Sequence, residues 1–109
     1  MDFKEFEKSK VDRFDACISY AENSIVSKTI LKKESGNITL FAFDIHQELS
    51  EHTAPFNALV QIIDGTAGII IDKKEYTLST GDFIIMPANI PHAVKAPEKF
   101  KMLLTMIKS

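Results

Sequence analysis

The sequence predicts an all-β domain, closed as a barrel or packed as a sandwich, and three observations carry that expectation. Its fourteen isoleucines and eight phenylalanines stand mostly in short blocks after residue 17, and such β-branched and aromatic blocks suit a pleated, half-buried surface. Between them lie Ser35-Gly36-Asn37, Asp64-Gly65, Asp72-Lys73-Lys74 and Thr80-Gly81-Asp82, which supply the Gly, Asn and Asp of tight reversals. No helical period follows residue 20, and eight or so short strands at regular spacing leave the sandwich and the barrel as the physical options.

Taken in order, the first fifteen residues set Phe3, Phe6 and Phe14 among charges. That pattern predicts a short amphipathic helix or arm over residues 1–16, packed on a single barrel domain of residues 17–109. Strands are predicted at Ser24–Lys32, Ile38–Ile45, Ala58–Ile63, Ala67–Ile71, Glu75–Leu78, Asp82–Met86, His92–Lys95 and Phe100–Ile107. Short turns make successive strands mostly antiparallel neighbours. From Ile62 to Ile71 and from Phe83 to Ile85 apolar residues stand at consecutive positions, so both faces of those strands need cover. In a chain this small a partner subunit is the expected cover, which makes a homodimer the expected state.

At 109 residues the chain can bury one core and not two. A net charge of −2, with lysines scattered among glutamates, gives no footprint for phosphate backbones, so nucleic acid is not an expected partner. The charged, broken start has no apolar core of a signal peptide and no apolar run approaches spanning length, so the expectation is a cytoplasmic protein with no membrane contact. Cys17 is the one cysteine, which excludes an intramolecular disulfide and a paired-cysteine metal site. Its neighbours include nothing that would favour a thiolate, so it reads as a structural thiol.

Two blocks resemble the cupin superfamily. The first family block runs glycine, five residues, His-x-His, three or four residues, glutamate, six residues, glycine, and the segment from His46 to Gly65 keeps that spacing. The second runs glycine, five residues, proline, one residue, glycine, two residues, histidine, and the segment from Gly81 to His92 keeps that spacing. The resemblance implies a cupin-type double-stranded β-helix, the RmlC-like jelly-roll barrel, over about residues 40–107. It also implies a metal position, and here the chain departs from the family. His52 stands at the first ligand position, Ala54 at the second, Ala58 at the glutamate and His92 at the histidine of the second block. His46 and Asn89 stand where the family has glycine, and Asn tolerates the left-handed turn conformation that glycine supplies.

Side chains alternate across a strand, so His52, Ala54 and Ala58, at even spacing, face the interior on regular strands, and Val60 and Ile62 continue that parity. Met86, Met102 and Leu104 are the expected neighbours from facing strands. The result is an apolar pocket with two polar groups, the form small-molecule sites usually take. The resemblance implies for His52 and His92 one divalent transition metal, Zn, Fe, Ni or Mn, with water or substrate completing the coordination. The competing reading is a metal-free pair bonded to each other, to water or to backbone. His46 reads as a solvated turn residue, and Asp82 as turn chemistry that caps backbone N–H groups. Pro87 and Pro91 stiffen the loop that presents His92. Lys99 and Lys101 read as solvated, and nothing in the spacing of Tyr20 or Tyr76 places either beside His52.

Three functions follow, and the sequence leaves open whether any reaction is catalysed. The first is a barrel that binds a small, mainly apolar molecule near His52 and His92. The second is a metal-dependent cupin enzyme, an oxygenase or isomerase, with an incomplete protein ligand set. The third is a dimeric sensor or interaction module.

Overall fold

In a computed structural model, which describes residues 5–108, the chain is a curled antiparallel jelly roll with one helical turn. Phe3 of the expected N-terminal helix or arm lies outside the described residues. Residues 5–13 contain no helix, and α1 (Phe14–Cys17) is a single turn. The strands are β1 (Ile25–Lys33), β2 (Gly36–Phe43), β3 (Glu48–His52), β4 (Asn57–Ile71), β5 (Lys74–Ser79), β6 (Phe83–Met86), β7 (His92–Lys95) and β8 (Phe100–Ile107). No helix among the described residues is long and apolar enough to cross a membrane.

β4 belongs to both sheets. Its first half pairs with β8 on one side and β6 on the other, and its second half pairs with β5 and β7. The sequence predicts two strands here, separated by a reversal at Asp64-Gly65. The structure instead bends one strand at that place: the register with β8 slips between Ile62 and Asp64, and Gly65 has φ of +81°. A Cβ on Gly65 would stand 2.2 Å from the Lys99 carbonyl oxygen, so only glycine fits the bend. β3 is the second departure. Its sequence ELSEH has no β-branched residue and carries no strand signal of its own; it is held by pairing with β7 at a sheet edge.

Inside the barrel, Phe43 and Phe100 stack with ring centroids 4.6 Å apart, and both are fully buried among Val60, Ile62, Ile69 and Met102. A second cluster lies on the outer face of the sheet, where Ile18, Cys17 and Tyr20 cover Leu40, Ala42, Leu103 and Ile63. Polar ties hold this segment down: Lys101 Nζ donates to the Asp15 carbonyl at 2.6 Å, Lys28 Nζ to the Cys17 carbonyl at 3.1 Å, and the Tyr20 hydroxyl to Asp64 Oδ2 at 2.5 Å. Part of the cover expected from a partner therefore comes from the chain itself. Lys99, exposed as expected, and the half-buried Lys101 also sit over the Tyr20 ring, 4.9 and 5.1 Å from its centroid. Phe83 and Ile85 on β6 and Ile107 at the end of β8 stay exposed.

Candidate functional site

The site begins with a slip in register. β3 pairs with β7 at Leu49↔Val94 and again at His52↔His92, so β3 uses one residue more than β7 over that interval. The slip sets His52 opposite His92, with the two imidazoles 4.4 Å apart between centroids and inclined at 67°. It also turns the Ser50 carbonyl onto the ring: His52 Nδ1 lies 2.9 Å from Ser50 O, and His92 Nδ1 lies 3.1 Å from Ile90 O. A carbonyl oxygen can only accept, so both Nδ1 atoms carry the proton and donate. In the neutral rings the Nε2 atoms are then the free lone pairs. Among the described residues no buried polar side-chain atom lacks a partner, and His92 itself is buried.

The loop ahead of β7 fixes His92. Asn89 has φ of +64°, the left-handed conformation expected of it, and its N–H donates to the Ala54 carbonyl at 2.7 Å. Ala88 N–H donates to Asn57 Oδ1 at 2.9 Å, and Pro91 O accepts from Asp72 N–H at 2.8 Å. His46, at the other family glycine position, has φ of +68° and is solvent-exposed. Asp82 caps the Ser79 N–H through Oδ2 at 2.9 Å, the turn role read from the sequence.

A cavity of about 70 Å³ opens beside the histidines. Of the residues expected there, His52, Ala54, Ala58, Met86, His92, Met102 and Leu104 line it. Val60 and Ile62 do not. Both face inward as their parity requires, yet they pack solidly, 0% and 1% exposed, in the core that the stacked Phe43 and Phe100 rings fill. Phe41, Leu49, Val94 and Met106 complete the wall. Val94 and Met106 were within reach of sequence reasoning, because they continue the parity of His92 and of Met102. Leu49 was not, since it stands at odd spacing from His52 and faces the cavity only because of the register slip. Tyr20 and Tyr76 line no part of it.

The wall contains no carboxylate. Glu51, next to His52, accepts from Lys73 Nζ at both carboxylate oxygens, 2.9 Å each, on the outside. Among the described residues no three His, Cys, Asp or Glu side chains converge. A divalent centre of the family kind would receive two imidazoles and nothing more from the protein, whereas catalytic zinc and iron centres draw three ligands. The donor set does not fit such a centre.

The family model described as cupin domain matches residues 39–108. Among solved structures, the chain is similar to a conserved protein of unknown function from Streptococcus pyogenes, at 35% identity and TM-score 0.91, covering 100% of this chain and 96% of that one. It is similar to a cupin 2 conserved barrel domain protein from Leptotrichia buccalis at 38% identity and TM-score 0.84, covering 86% of this chain and 46% of that one, so it spans less than half of that relative. A cupin superfamily protein from Desulfitobacterium hafniense matches over 100% of both chains at 25% identity and TM-score 0.90. No curated protein matches the chain.

Proposed function

This chain belongs to the cupin domain family, and from that premise we propose that it is a binding barrel, which captures a small, mainly apolar molecule with His52 and His92 as its polar anchors. The observation that carries this reading is the wall itself: nine apolar side chains, Ala54 and Ala58 among them, around two imidazoles whose Nδ1 atoms are already committed to backbone. Binding small molecules in apolar cavities with few polar groups is the general pattern. Size narrows the ligand. An apolar cavity of about 150 Å³ takes up benzene, and this one, at about 70 Å³, encloses only a few heavy atoms; anything larger protrudes past the exposed His52.

Xenon is a probe of the right size. Methyl NMR of protein under xenon pressure is expected to shift Met86, Met102 and Leu104 and to leave Ile18 and Leu40 of the outer cluster in place. Shifts spread evenly over both clusters, or none at all, would sink the binding reading. A metal-dependent oxygenase or isomerase needs a third donor that Ala54 and Ala58 lack, and the binding reading is preferred for that reason.

We also propose that the barrel is a homodimer joined through the outer face of β6 and β8, where Phe83, Ile85 and Ile107 are 62%, 55% and 60% exposed. Phe83 and Ile85, two residues apart on β6, share one face, and Ile107 stands across β4 from them; exposed apolar side chains of this size are a feature of interaction surfaces. Light scattering should give twice the chain mass for the wild type and the chain mass for Phe83→Lys; a monomeric wild type at tens of micromolar refutes the dimer.

A further inference from the structure

One methionine stands on two open spaces. Met106, on β8, lines the cavity beside His52 and His92, and it also lines an open groove of about 310 Å³ at the end of the β1–β2 hairpin, with Leu31, Gly36 and Ile38. Among the described residues no other belongs to both walls. Register accounts for the position. Met106 pairs with Asn37 on β2 and with Ala58 on β4. Beside it, Gly36 lies so close to the Met106 carbonyl that a Cβ would collide with it, and no side chain from that position covers the methionine.

The three methionines of the cavity wall differ in access. Met102 is 1% and Met86 4% exposed, and both read as fillers of an irregular core, a common use of the residue. Met106 is only half-buried. The cavity also has room for a reagent, since its volume of about 70 Å³ is several times the roughly 10–15 Å³ that one water needs. What an added oxygen would meet sets the consequence. The wall is nine apolar side chains and two imidazoles whose Nδ1 protons already go to Ser50 O and Ile90 O. A sulfoxide oxygen turned inward finds no donor there and needs water. An apolar cavity then becomes wet and smaller.

We propose that Met106 is a redox-modification site, at which a small hydroperoxide converts the thioether to a sulfoxide and so closes the cavity to apolar ligands. The closing effect rests on the binding reading above; the oxidation itself does not. The sulfur lone pair attacks the outer peroxide oxygen, the S–O bond forms as the O–O bond breaks, and the displaced oxygen leaves as water or an alcohol, taking up the hydroperoxide's own proton. Sulfur gives up two electrons and the peroxide gains them. A thiol-dependent sulfoxide reductase reverses the change, with two thiols becoming a disulfide while the oxygen departs as water.

The test exposes the folded, full-length protein to hydrogen peroxide with free methionine in the same solution, maps each methionine by peptide mass, and reads xenon uptake at the Leu104 methyls before and after. Met106 is expected to gain one oxygen at a rate within about tenfold of free methionine and ahead of Met86 and Met102. Uptake should fall as that sulfoxide accumulates and return after reductase treatment. A Met106→Leu variant, which conserves volume and keeps Cys17 and the other methionines, should hold its uptake through the same treatment. Four results overturn the proposal: Met106 stays a thioether while free methionine is consumed, Met86 or Met102 oxidises first, Met106 sulfoxide leaves uptake intact, or Met106→Leu loses uptake as the wild type does. In all four the untreated protein still takes xenon and the binding reading stands. Untreated wild type that takes none sinks the binding reading and the closing effect with it, and the mass map alone then decides the oxidation site.

Discussion

The two ends of the barrel are built from the same strands and differ in what fills them. At the Gly65 end, β2 and β8 bring Phe43 and Phe100 into a stack, and β4 adds Val60 and Ile62 until nothing is left open. Toward the other end, β4 offers Ala58 where it might offer another large side chain, Ala54 precedes it, and a cavity with two histidines results. Backbone geometry is shared, so the volume at alternate positions of β4 decides which end is core and which is site. The closed end provides the rigidity that lets the open end keep unfilled space.

The largest effect expected from this division is at the closed end. Phe100→Ala should destabilise the fold by about 3–5 kcal/mol in urea unfolding, since its ring is fully buried and stacked. A loss below ~1 kcal/mol would mean that the closed end is not the stabilising half. At the open end, Ala58→Leu should abolish xenon uptake and change stability by no more than about 1–3 kcal/mol, the range for overfilling a packed site. Retained uptake would show that the cavity does not depend on the small residue at 58.

Loop geometry gives a smaller effect. Asn89→Ala should cost about 1 kcal/mol, because alanine resists the left-handed conformation, while Asn89→Gly, the family residue, should match or exceed the wild type. Equal stability of the two variants would remove backbone strain as the reason for Asn89. The last test moves to the outer cluster, where burial, the hydrogen bond to Asp64 and the nearby Asp64 and Glu98 charges hold the Tyr20 hydroxyl well above its ordinary value near 10. A raised value in the folded state means that the unfolded chain ionises first. Stability is therefore full below pH 10 and falls as pH rises beyond it. Tyr20→Phe should flatten that fall in urea titrations between about pH 9 and 11; an unchanged slope would assign it to other groups.

Sequence reasoning reached the fold and most of the cavity because both are written in local pattern. β7 and β8 begin and end where the blocks predict, and parity from His52 through Ala58 holds along β4. What it missed depends on pairing at a distance. β3 has no propensity of its own and exists through β7, and Leu49 reaches the cavity through a slip visible only when the two strands lie side by side. Asp64-Gly65 reads as a reversal in one dimension because glycine serves a turn and a bend alike; Lys99, which decides between them, stands far along the chain. Val60 and Ile62 stand off the cavity wall for a related reason, since parity gives direction and says nothing of what fills the space ahead.

The bend at Gly65 also sets an order on assembly. Because β4 crosses from one sheet to the other, it pairs with four strands, β5, β6, β7 and β8. The hairpin with β5 is local and forms early, but the ladder with β8 joins distant parts of the chain and must wait for a large loop to close. Neither sheet can be completed before this strand has settled, so the barrel folds as one cooperative unit, at the slow pace of non-local β topologies, with the histidine end and the phenylalanine end committed together.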